Sequence, residues 1–108
     1  MSTFLFSYRM PKTYQPGSAA TMAAWNAWFE QLGASLVDRG NPVFESAELG
    51  NCPAGTRLGG YSMVTADDHE TAVAMAKGCP ALAQGGGVEV GLITELASGT
   101  DLAGGDAA

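Results

Sequence analysis

Histidine occurs once in this chain, at position 69, and lysine and arginine together occur five times against eleven aspartates and glutamates. The resulting net charge of −6 argues against a nucleic-acid or anionic-membrane partner, since both need a cationic footprint. Cysteine is nearly as scarce. Cys52 and Cys79 each precede a proline and form no C-x-x-C pair, and with a single histidine they make neither a disulfide scaffold nor a structural zinc site. No metal or cofactor is expected. No apolar run reaches 18 residues and no basic segment leads into an apolar one, so the expectation is a soluble cytoplasmic protein without a membrane span or signal peptide.

The 108 residues suit one domain that buries somewhat more than ~60% of its unfolded surface, a modest core that dimerisation would help. The chain opens with an alternating strand, Thr3 to Met10, in which Phe4, Phe6, Tyr8 and Met10 point one way and Thr3, Leu5, Ser7 and Arg9 the other. Leu5 on the second face implies that this face is covered too. After a loop from Pro11 to Gly17, Ser18 or Thr21 caps a helix reaching to about Arg39. Met22, Trp25, Phe29, Leu32 and Leu36 form its apolar stripe. Trp25 and Phe29 read as core, and Trp28 as the one of the three that lines a cleft or interface. Gly33 is expected to weaken or kink the helix and Gly40 to end it before Asn41-Pro42. Val43 to Leu49 alternates and reads as a half-exposed second strand, followed by a hairpin loop to Gly55.

The stretch from Gly59 to Val90 is the most informative. Tyr61 to Thr65 follow a Gly-Gly pair and favour an extended segment, stopped by Asp67 or Asp68, either of which can cap a helix; Glu70 has capping-box spacing from Asp67. Ala72, Val73 and Ala76 give this helix a small apolar face. Gly78 ends it, Ala81 to Gln84 suit one short turn, and Gly85 to Gly87 lead into a strand from Val88 to Thr94. Because a strand follows these glycines, they are not a phosphate loop.

The ordered set G-G-aromatic, A-D-D, helix, C-P-x-L and G-G-x-V-E-V over residues 59 to 93 resembles the YCII-related, or DGPF-domain, family of small bacterial proteins. The first half matches only in outline. The loop Asn51 to Leu58 lacks the D-G-P-F signature, and residues 18 to 40 carry no counterpart of the helical histidine proposed as catalytic in some relatives. The resemblance implies a ferredoxin-like unit that pairs into a dimeric α+β barrel.

The element order read from the residues agrees: strand, helix, strand, strand, helix, strand is an α+β, ferredoxin-like arrangement with two helices on one face of a four-stranded antiparallel sheet. We read residues 1–97 as this single domain and 98–108, poor in anything to bury, as a flexible tail. The open sheet face would carry Leu5, Ser7, Arg9, Tyr61, Met63 and Glu89, a mixed surface that a second copy could cover and that suits a cleft.

Several residues are candidates for chemistry. His69, beside Asp67 and Asp68, is either an acid or base or an exposed helix-start residue. Glu89 could transfer protons or pair with Arg9, and Arg9 could bind a carboxylate through its planar fork. Tyr61, Trp28 and Ser7 complete the candidate ligand-binding set. Two functions follow as expectations. One is a dimeric module binding a small organic ligand in a cleft on the open sheet face. The other is a small cofactor-free enzyme, isomerase- or lyase-like, acting on an organic acid or lactone with Arg9 binding and His69 or Glu89 moving protons.

Overall fold

The computed structural model describes residues 1–15 and 17–95. Its strands are β1 (Ser2–Pro11), β2 (Leu36–Asp38), β3 (Thr56–Ala66) and β4 (Gly87–Ile93), and its helices α1 (Ala19–Leu32), α2 (His69–Ala76) and a four-residue α3 (Pro80–Ala83). The sheet order is β2-β3-β1-β4 with every pairing antiparallel, which is the ferredoxin-like arrangement. The tail expected over 98–108 lies outside the described residues.

The alternation of β1 is realised residue by residue. Phe4, Phe6, Tyr8 and Met10 are buried against the helices, while Thr3, Leu5, Ser7 and Arg9 are half-buried on the other face. Phe6 is the centre of the core: it is fully buried and stacks on Trp28 of α1, with ring centroids 5.9 Å apart and an interplanar angle of 17°. The caps follow the sequence. Ser18 accepts from the Thr21 N–H at the start of α1, and Asp68, rather than Asp67, accepts from the Thr71 N–H at the start of α2. Ala72 and Ala76 are the buried face of α2, small enough to lie close on the sheet.

Two expectations fail in the middle of the chain, for one reason. The first helix ends at Gly33 rather than running to Arg39. Gly33 takes φ 54° and ψ −127°, a backbone region that side chains disfavour, and its N–H closes on the Phe29 carbonyl. A short 3₁₀ turn follows, so the chain meets the sheet edge seven residues earlier than read. Leu36, the last residue of the apolar stripe, is a strand residue opposite Val64. The second strand is therefore Leu36–Asp38, and the stretch Val43 to Leu49 is not a strand. Glu45 has φ 47°, which breaks extended backbone, and Phe44 and Leu49 are 57% and 89% exposed. Only a bridge from Pro42 to Gly60 and a bond from the Val43 N–H to the Gly59 carbonyl tie this segment to β3.

Gly40 turns the chain between β2 and that bridge. A Cβ there would fall 1.7 Å from the Tyr61 carbonyl oxygen, so glycine is required by close approach as well as by its φ of 73°. On the neighbouring strands, the pairing steps from Tyr8 opposite Gly60 to Arg9 opposite Leu58, leaving Gly59 as a bulge residue packed over Met10.

Beneath the sheet a buried hydrogen-bond chain locks these pieces together. The Tyr8 hydroxyl donates to Ser62 Oγ at 2.7 Å, and Ser62 donates to the Arg39 carbonyl at 2.6 Å. Ser62 is wholly buried, so each group depends on its partner. We expect Ser62→Ala, which orphans both the Tyr8 hydroxyl and the Arg39 carbonyl, to cost about 1–3 kcal/mol. Tyr8→Phe, which leaves Ser62 still donating, should cost about 1 kcal/mol. Urea unfolding of the two variants checks the order; a neutral Ser62→Ala would mean that the chain bears no weight.

Candidate functional site

A cleft of about 400 Å³ opens on the helix side of the sheet. Five segments build it, one of them the loop between β1 and α1 with Tyr14 and Gly17. β1 supplies Tyr8 and Met10; α1 supplies Thr21, Met22, Trp25 and Phe29; the turn after β2 supplies Arg39 to Pro42 and Phe44; and β3 supplies Gly59 to Tyr61. The helical residues come to one wall because positions 21, 25 and 29, and 22 with them, recur at a helical period. Gly59 and Gly60 let the chain pass closely here, since an added Cβ would fall on Met10 at the first and on the Asn41 carbonyl at the second.

The wall is aromatic and internally packed. Trp25 meets Tyr8 edge-on at 4.8 Å and Phe29 at 5.9 Å, and its Nε1–H reaches Gln84 Oε1 at 3.4 Å. Burial pushes the Tyr8 hydroxyl well above the usual phenol range, against the opposing hydrogen bond to Ser62, so Tyr8 stays protonated. The one charged side chain on the lining is Arg39, whose guanidinium lies 4.8 Å from the centre of the Phe29 ring and donates to Asn26 Oδ1. Asn41 adds an amide that donates to the Tyr61 hydroxyl at 3.3 Å.

The candidates named from sequence are scattered. Of the six, Tyr61 borders the cleft, although it alternates with the buried Gly60 and Ser62 and so belongs to the open-face row. Ser7 lies on the open face between Tyr61 and Glu89 in one cross-strand row, so these three are brought together, but away from the helices. Arg9 stands one step along, opposite Gly87 rather than Glu89, and the expected Arg9–Glu89 pair is replaced by another. Arg9 donates to the Thr56 hydroxyl at 3.1 Å and the Thr56 carbonyl at 2.7 Å, and meets Glu48 at 3.5 Å. Lys12 reaches the same carboxylate at 3.2 Å, so Glu48 clips the 43–55 loop onto β1.

His69 begins α2 and faces the sheet edge. Its Nε2 lies 3.1 Å from the Val90 carbonyl, to which it donates, and its ring meets Phe4 edge-on at 5.6 Å. Asp68 next to it is a cap: hydrogen bonds from Thr71 hold its carboxyl below the usual range. The sequence reading of the three rings holds in part: Trp28 borders a groove between α1 and α3 but is itself buried, and Trp25 and Phe29 pack on the core while also lining the cleft. Trp28 is 3% exposed in the core, its Nε1–H on the Met75 carbonyl at 3.2 Å, while Trp25 and Phe29 line the cleft. Gly78 is the cause, since its missing Cβ, which would lie 3.2 Å from the indole, makes room for Trp28 between α1 and α2. Arg39, Asn41 and Phe44 escaped the sequence reading because it placed them at a helix end and in a strand; the signal that would have found them is Gly33 as a terminator.

A family model described as the YCII-related domain matches residues 1–97. The chain belongs to the YCII-related family. No curated protein and no solved structure matched it. No metal-holding group of histidine, cysteine or carboxylates occurs among the described residues, and no described helix is long and apolar enough to cross a membrane.

A second, shallower groove between α1 and α3 borders Cys79. Burial pushes the Cys79 thiol up to about 11, whereas Cys52 is exposed. A thiol raised in the folded state adds stability below its unfolded value, and that stability is lost as pH rises toward about 11. We therefore expect a disulfide reagent at pH 8 to label Cys52 and spare Cys79 until denaturant is added, and the melting temperature to fall between pH 9 and pH 11 less steeply in Cys79→Ala than in the native chain. Labelling of both thiols at equal rates would contradict the burial.

Proposed function

We propose that this YCII-related chain is a small-molecule-binding module whose ligand occupies the helix-side cleft. The observation that carries the reading is the cleft itself: about 400 Å³, within the ~300–1,000 Å³ of known ligand sites, with a mostly apolar lining and a few polar groups at defined positions. This moves the site from the open sheet face, where it was expected, to the opposite side of the sheet. It also favours binding over catalysis. His69 is committed to Val90 and Glu89 lies on the other face, and Tyr8, the most enclosed acid on the lining, is held protonated. The expected test is a thermal-melt screen of small organic acids and their neutral analogues. A ligand at 100 times its dissociation constant adds about 2.7 kcal/mol, and the shift should vanish in Met22→Trp, which fills the rim from a half-exposed position on α1. Shifts that survive Met22→Trp would place the site elsewhere.

We further propose that the module is a homodimer joined through the open sheet face. Leu5 lies opposite Met63 on one side and Gly91 on the other, so the centre of that face is apolar, with Ile93 38% exposed beside it. Pairing two such faces leaves the cleft of each copy accessible on the far side. The native chain should scatter light as a dimer and Met63→Lys as a folded monomer. A monomeric native chain would remove the dimer from the reading.

A further inference from the structure

The cleft holds an arginine without a counter-ion. Arg9 and Lys12 both meet Glu48. Among the described residues, no carboxylate lies within 4.0 Å of Arg39, and its guanidinium donates to the neutral Asn26. Of the five cations, Arg9 and Lys12 meet an acid among the described residues, and of the three that do not, Arg39 is the one on the lining of the cleft. Arg39 is nevertheless held in place at three points. Its backbone carbonyl takes the Ser62 hydroxyl, its guanidinium rests on the Phe29 ring, and Asn26 takes one of its five N–H donors. An immobilised planar fork with unspent donors is built to receive a planar anion, since a guanidinium binds both oxygens of a carboxylate at once.

The walls beside it select what carries that anion. Trp25 and Phe29 present rings from α1, and Phe44, 57% exposed, presents a third from the turn after β2. Exposing that ring costs apolar hydration unless something covers it. A volume of about 400 Å³ is at the low end for ligand sites, which suits one or two rings. Resting on the ligand-binding reading of this cleft, we infer that its ligand is a small planar aromatic acid, with the ring against Trp25, Phe29 and Phe44 and the carboxylate on Arg39.

Three probes test this on the full chain: phenylacetate, phenylacetamide and cyclohexylacetate, titrated calorimetrically and followed by the amide and indole N–H signals of Trp25. Phenylacetate should bind at least ~10-fold more tightly than phenylacetamide, the difference between a charge-assisted bidentate contact and a neutral one. It should exceed cyclohexylacetate by about two- to tenfold, the margin that ring–ring contact adds to apolar burial. Arg39→Gln should abolish the preference for the acid over the amide while leaving the Trp25 signals of the free protein in place, and Arg39→Lys should restore part of it. Equal binding of acid and amide, both moving Trp25, would overturn the carboxylate assignment and leave the binding cleft standing. Equal binding of phenylacetate and cyclohexylacetate would overturn the aromatic preference. Failure of all three probes to move Trp25 would overturn the inference outright, and the broader thermal-melt screen would then decide whether the cleft binds anything.

Discussion

The hydrogen-bond chain from Tyr8 through Ser62 to the Arg39 carbonyl joins three segments that are far apart in sequence. Tyr8 is on the central strand, Ser62 on its neighbour, and Arg39 follows the short edge strand β2. β2 is only three residues long and makes two register contacts, too few to anchor what comes after it. The Ser62 hydroxyl supplies that anchor from inside the sheet. Because its environment is dry, the alternative to bonding is an unsatisfied donor and acceptor, and the turn from Arg39 to Pro42 is fixed by that cost. Gly40 adds a steric condition at the same place, since the turn runs against the Tyr61 carbonyl.

The cleft exists because of this anchoring. One of its walls is helix α1, held to the core by Trp28 on Phe6; another is the Arg39–Phe44 turn, held by Ser62 and by the Pro42 bridge to Gly60. Between them lie Gly59 and Gly60, where an added Cβ would fall on Met10 or on the Asn41 carbonyl. The same tryptophan pair divides the labour. Trp28 closes the core because Gly78 admits it, and Trp25, three residues earlier, is left half-buried to face the opening.

Much of the architecture is legible in local pattern. The period-two alternation of β1, the Asp68 cap, the Ala72 and Ala76 face and the glycine-led β4 each reflect a short-range physical rule, and each lies where the sequence places it. The half containing the cleft is less legible. Leu32 and Leu36 continue the helical stripe of α1, so hydrophobic periodicity runs unbroken through Gly33, and only the backbone freedom of that glycine marks the end. Val43 to Leu49 alternates well enough for a strand, but an alternating segment needs a partner, and β2 and the Pro42 bridge already occupy the edge of β3. Pairing register is non-local, which also explains why Arg9 and Glu89, on adjacent strands as expected, are offset by two residues along the ladder.

The allocation of charge separates scaffold from site. Arg9 and Lys12 converge on Glu48, and Arg57 donates to the Val43 and Leu58 carbonyls, so three of the five cations hold the long 43–55 segment against the sheet. A segment of that length with no regular structure would otherwise be costly to order. Lys77 stands exposed at the end of α2, where a cation suits the helix dipole. Arg39 differs from these four in lining the cleft, with Asn26 as the side-chain partner of its guanidinium. It is exposed to solvent on the Phe29 ring at the lining of an apolar cleft, with most of its five N–H donors unspent. Under the proposed reading of the cleft, the two terms would act together: the net negative charge would discourage loose anion binding, and the planar fork would reward the one geometry that fits.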